Sequence, residues 1–236
     1  MSWRVWLIGI PACLEIMERT VRSDRYTLGR DGERFYLGSP EFDATPDHRE
    51  VGQLALEYLA VLNGAAVLEW GSSARIDVDL VEEVRDPLPN ILCFDWVEEV
   101  DVMEEVVATL HNPDGSVAET SSTPNFGPWV RLTQQHASAR TVLAYLADPE
   151  LGWLGLWNVY EIIRQDLGGE KEIATRGYAP ATELDRFRRT ANSPSASGPG
   201  ARHGVERGAP PSDPMTLSTA RELIRALSRV WLRNKR

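Results

Sequence analysis

Cysteine is scarce. The chain holds two, Cys13 and Cys93, both in apolar surroundings. That is too few for a disulfide framework or a paired-cysteine zinc site, and a reduced, cytoplasmic setting is expected. Histidine is nearly as rare: His48, His111, His136 and His203 are all there are. Neither a multi-histidine metal site nor a bound cofactor is therefore expected. Lysine occurs only at Lys171 and Lys235 among 25 basic residues. No apolar run approaches the roughly 18 residues that span a bilayer, so no membrane partner is expected. The start reads as a strand rather than a signal peptide, because Glu15, Glu18 and Arg19 interrupt any apolar core too early. The strong chemical motifs are missing too. There is no GxxxxGK(S/T), no HExxH, no GxSxG and no paired CxxC, which removes phosphate-loop, zincin and nucleophile-elbow readings.

What is present is a chain of 236 residues, 42% hydrophobic and 25% charged, an ordinary composition for a globular protein with a sizeable core. The net charge of −10 conceals a split. Residues 170–236 hold 13 basic and 7 acidic residues, a net of +6, leaving 12 basic and 28 acidic in the remainder, a net of −16. Such asymmetry suits docking of the two parts on each other, or a basic surface kept for an anionic partner.

The expected fold class is α+β: a mixed strand and helix domain over residues 1–130, then a basic four-helix bundle over 137–236. In the first part, Arg4–Ile10 reads as a strand. Tyr26–Leu28 and Arg34–Leu37 read as a hairpin around Asp31-Gly32. His48–Leu62 reads as a helix stopped by Asn63-Gly64, and Arg75–Val84 as a strand. Residues 86–90 read as a loop, Ile91–Leu110 stays ambiguous, and Asn112-Pro113-Asp114-Gly115 reads as a turn. The acidic run Asp95, Glu98, Glu99, Asp101, Glu104 and Glu105 reads as a solvated or docking face. In the second part, helices are expected over Ala137–Ala147, Leu151–Leu167, Pro180–Thr190 and Leu217–Arg233, with Thr216 as an N-cap. Trp153, Trp157, Tyr160 and Trp231 recur at helical spacing and read as core. Asn192–Pro214 reads as one long Ser/Gly/Pro-rich loop.

Chemistry is expected in the segment from Arg188 to Arg207. His203 is the one group there that titrates near neutrality, so it suits moving the proton of a ribose 2′-OH. Arg202 and Arg188 or Arg189 suit phosphate binding, and Asn192 suits holding a phosphate oxygen or orienting the histidine. Glu161 could orient His203 or Arg202 across the bundle, or simply pair with Arg164. The same residues also read as a solvated turn and surface charges, and both readings stand.

The runs Leu156–Arg164, Glu183–Asn192 and Ala201–Gly204, with the last helix, resemble the HEPN-like helical domains of bacteria, over about Ala137 to Arg236. The resemblance implies a four-helix bundle, and in many members a metal-independent ribonuclease of defence or toxin systems built on an arginine and a nearby histidine. Here it carries over to His203 alone, as acid or base; no arginine stands four to six residues before it, where the family has one, and Arg202, Arg189 and Asn192 are the candidates to act with it, with Glu161 and Arg188 in support. Arg189 stands 14 positions before His203, and Arg202 is adjacent to it. Other members bind or scaffold without cleaving, so a non-catalytic module recognising RNA or a protein is the alternative. A homodimer is a further implication.

Overall fold

The computed structural model describes residues 2–71, 75–84, 90–93, 110–111, 117–119 and 124–235. The fold is α+β. The chain divides into two compact units, Met1–Arg131 and Leu132–Arg236.

The first unit is built on a five-stranded antiparallel sheet. Its strands are β1 (Ser2–Gly9), β2 (Thr27–Asp31), β3 (Arg34–Gly38), β4 (Ile76–Val84) and β5 (Asn90–Cys93), in the order β2-β3-β1-β4-β5. Helix α1 (Pro11–Thr20) joins β1 to β2, and a short α2 (Pro40–Asp43) and the long α3 (His48–Trp70) join β3 to β4. This is a split βαββαβ order, with β5 added outside β4. Trp3, Val5 and Leu7 alternate into the core, as a half-buried strand requires. Val5 sits opposite Leu37 on one side and Val81 on the other, which centres the register on one buried row.

Three local readings change. Pro11 opens α1, which buries Cys13, Leu14 and Met17; the sequence reading had no helix there. The hairpin pairs Asp31 with Arg34, so its two-residue loop is Gly32-Glu33, one position later than expected. Gly32 takes φ +61°, and no described non-glycine residue has positive φ. A positive φ at the first loop position alone is the type II′ pattern. The third change is larger. Helix α3 runs eight residues past Leu62 to Trp70 and stops at Gly71, φ +98°. Asn63 is a tie, not a stop: its Nδ2 donates to the Ile76 carbonyl and its Oδ1 accepts from the Ile76 N–H, each at 2.8 Å and buried. The undivided helix is long and apolar enough to cross a membrane, with mean hydropathy 1.5, yet 67% of that window is buried inside the protein. Burial beneath the sheet accounts for its apolar character.

A two-stranded pair, β6 (Leu110–His111) with β7 (Val117–Glu119), follows. Of the expected loop at 86–90 only Asn90 is described, and it opens β5 rather than closing a loop; the acidic run at 95–105 and the turn at 112–115 lie outside the described residues. Helix α4 (Gly127–Gln135) spans the division between the units.

The second unit packs α5 (Ala137–Leu146), α6 (Trp153–Asp166), α8 (Ala181–Asn192) and α10 (Leu217–Asn234), with a short α7 (Glu170–Thr175) between α6 and α8 and a four-residue α9 (Pro194–Ser197) after α8. Leu143, Leu156, Tyr160, Ile163, Leu184, Phe187, Ile224, Leu227 and Trp231 form the shared core. The expected aromatic positions are thus internal. Thr216 caps α10, its side chain accepting from the Thr219 N–H. At the other end of α10, Trp231 Nε1 and Lys235 both reach the Asp166 carboxylate at the end of α6. That fixes the two C-termini together.

Candidate functional site

The site grows from the exposed side of α8. Leu184, Phe187, Thr190 and Ala191 face the core, a spacing of three and four that leaves Arg188, Arg189 and Asn192 on the other side. The helix continues to Asn192, so this residue is the last helical position rather than the first of the loop, as expected. Its Nδ2 donates to the Arg188 carbonyl at 2.8 Å. That is a back-bond from the side chain to the carbonyl one turn earlier in the same helix. Its Oδ1 is buried and has no hydrogen-bond partner.

The segment after α9 folds back along α8 and is latched to it. Arg202 N–H donates to the Ala191 carbonyl at 2.9 Å. Glu206 accepts from Ser193 Oγ at 2.9 Å and from the Ser195 N–H at 3.1 Å. Arg186 reaches Asp213, and Met215 N–H donates to Thr190 Oγ1 at 2.9 Å. These bonds hold an irregular stretch, mostly exposed up to the buried Met215, against a helix. Between the two runs lies a pocket of about 230 Å³, lined by Arg188, Arg189, Asn192 and Ser193 on one wall and by Glu206, Arg207, Ala209 and Pro211 on the other. It is smaller than the roughly 300–1,000 Å³ of drug-sized sites, so it suits one small group, such as a single phosphate.

The charges in the pocket differ in kind. Arg188 is committed: its Nη1 lies 2.6 and 2.5 Å from the two Glu170 oxygens, and Tyr160 Oη donates to the same carboxylate at 2.7 Å. Burial pushes the Glu170 carboxyl up, but the hydrogen bonds from Arg188 and Tyr160 outweigh it and hold it below the usual range. The Arg188 guanidinium is raised, chiefly by that hydrogen bond to Glu170. The Tyr160 hydroxyl is raised above an ordinary phenol by burial first and by Glu170 second. Arg189 and Arg207 have no acidic partner among the described residues. Glu206 shares their pocket but makes no ion pair with either. Hydrogen bonding from Ser195, with Ser193 behind it, holds its carboxyl low.

The expected site residues are therefore divided. Arg188, Arg189 and Asn192 come together in the pocket. Arg202 and His203 do not line it. The exposed Arg202 guanidinium lies 4.1 Å over the Trp157 ring, and Trp157 in turn stacks at 16° on Phe187. His203 is half-buried, and no hydrogen bond or ion pair joins it to another described residue. Glu161 pairs with Arg164 at 2.9 Å and makes no hydrogen bond or ion pair with His203 or Arg202 among the described residues. Glu206 and Arg207 complete the pocket, and Glu170 sets its charge; the sequence reading assigned a role to none of them. Glu206 and Arg207 follow His203 within four residues and were open to notice. Glu170 had no signal, since it belongs to a helix the sequence reading did not expect. Among the described residues no group of three or more His, Cys, Asp or Glu is placed to hold a metal ion.

The chain matches no protein-family model, no curated protein and no solved structure.

Proposed function

We propose that the helical unit is a binding module for single-stranded RNA, taking a backbone phosphate between Arg189 and Arg207. One observation carries this reading: two arginines without an acidic partner line one small pocket. An arginine with no carboxylate to satisfy it is ready for a phosphate, which it binds with matched geometry. Arg202 adds support, because a guanidinium plane backed by an indole gives an exposed surface on which a base can stack. The HEPN-like relationship and a cytoplasmic location belong to this proposal. A second reading, metal-independent cleavage of RNA by His203, is favoured by one fact: its imidazole makes no hydrogen bond or ion pair among the described residues.

Binding of a labelled single-stranded RNA to the full chain tests the first reading by anisotropy. Removing two phosphate contacts in the R189A/R207A variant should weaken binding and flatten the salt slope by about 1.4, at roughly 0.7 per contact. Wild type that ignores RNA at low salt, or a double variant that binds like wild type, would reject it. Binding that is insensitive to salt would point to a protein partner or a second copy of the chain. Incubating a cellular RNA pool with wild type and His203→Ala in EDTA tests the second reading. Cleavage by wild type alone, with equal melting of both proteins, would establish it.

A further inference from the structure

We propose that Glu206 makes this pocket selective for a phosphodiester over a phosphate monoester. The inference rests on the anion-binding reading above and narrows its ligand to an internal linkage of a ribonucleotide chain. Its basis is the charge lining the pocket. Arg188 is already matched by Glu170, at 2.6 and 2.5 Å, with Asp185 a further 3.9 Å from its other nitrogen. Arg189 and Arg207 contribute two positive charges, and Glu206 contributes one negative charge to the same walls. One anionic charge completes that set, and a second would face the Glu206 carboxylate unmatched.

Glu206 cannot swing clear at no cost. Its carboxylate holds both Ser193 Oγ and the Ser195 N–H, and these bonds also latch the returning segment to the end of α8. It is therefore a fixed negative charge in the wall. A diester carries one charge at every working pH. A monoester carries roughly −1.5 to −2 at pH 7, because its second proton leaves near pH 6. Like charges sharing a small pocket repel, so the monoester is penalised by the charge the diester lacks.

The test is competition against a labelled RNA on the full chain. The competitors are adenylyl-(3′→5′)-adenosine, with one diester, and adenosine 5′-monophosphate, with one monoester. At about pH 8 the diester should displace RNA at roughly tenfold lower concentration, and near pH 5, where the monoester has lost its second charge, the gap should shrink several-fold. Glu206→Gln keeps an acceptor for Ser193 and Ser195 while removing the charge, and it should close the gap at pH 8. An equal gap in wild type and Glu206→Gln, or no gap in wild type, overturns the inference while leaving RNA binding intact. Failure of wild type to bind any RNA would instead reject the reading beneath it. A short peptide with a free C-terminal carboxylate that competes better than the dinucleotide would also overturn it.

Discussion

Replacing Glu170 by alanine should move stability and RNA binding in opposite directions. The carboxylate serves two partners. Tyr160 is 1% exposed, and its hydroxyl donates only to Glu170; a buried donor left unpaired costs about 1–3 kcal/mol. The bond to Arg188 is worth less. Arg188 and Glu170 keep 37% and 32% of their side-chain exposure, and ion pairs screened to that degree contribute about 0–1 kcal/mol. Glu170→Ala should therefore destabilise the protein by about 1–4 kcal/mol, read as a shift of the urea midpoint. Tyr160→Phe in the same background removes the orphaned hydroxyl and should restore about 1–2 kcal/mol. The loss of Glu170 also frees the Arg188 charge into the pocket, so RNA binding should tighten and its salt slope steepen by about 0.7. The stability difference carries a pH signature. Glu170 has its folded pKa depressed, so its contribution is present above the unfolded carboxylate value of about 4.3 and is lost as pH falls through the folded one. Wild type and Glu170→Ala should converge in stability in that acid range. A variant that loses stability and RNA affinity together would refute the division of roles, because the arginine would then need its carboxylate in order to bind.

Two further outcomes follow from the first unit. Asn63→Ala deletes both bonds to Ile76, leaving a buried N–H and C=O to find other partners. A loss of about 2–4 kcal/mol by urea titration is expected, and a loss below about 1 kcal/mol would mean that water replaces the amide. Burial pushes the Cys13 thiol up to about 12, so an alkylating reagent at pH 8 should leave it unmodified in the native protein and label it in urea. Rapid native labelling of Cys13, located by mass spectrometry, would contradict its burial on the inner face of α1.

How far the sequence could be read depended on what kind of interaction formed each part. The helices of the second unit were legible because Leu156, Tyr160, Ile163, Ile224, Leu227 and Trp231 carry the helical period in their own chemistry. Asn63-Gly64 misled for the converse reason. The pair has the composition of a helix stop, but the Asn63 amide is satisfied by a strand 13 residues away, and nothing local records that. Strand β4 was legible from Ile76, Val78 and Leu80, whereas α1, opened by Pro11, lies in a stretch between the first strand and the hairpin to which no element was assigned.

The pocket shows why a site can be half visible. Arg188, Arg189 and Asn192 follow from the amphipathic period of α8, since the face opposite Leu184, Phe187 and Ala191 must point outward. The other wall follows from no period at all. It is set by side chain to backbone bonds between residues 11 to 28 positions apart, among them Glu206 to the Ser195 N–H, Thr190 to the Met215 N–H and Arg186 to the Asp213 and Pro214 carbonyls. Serine, threonine and aspartate in a loop admit many such partners, and the sequence does not rank them. The histidine drew attention because imidazole is the familiar titrating group, yet the latches bring Glu206 and Arg207, not His203, to the wall facing Arg189. A charge on that wall is informative only once its partners are known. Arg188 with Glu170 is spent, Arg189 and Arg207 have no acidic partner among the described residues, and the anion-binding proposal rests on this difference.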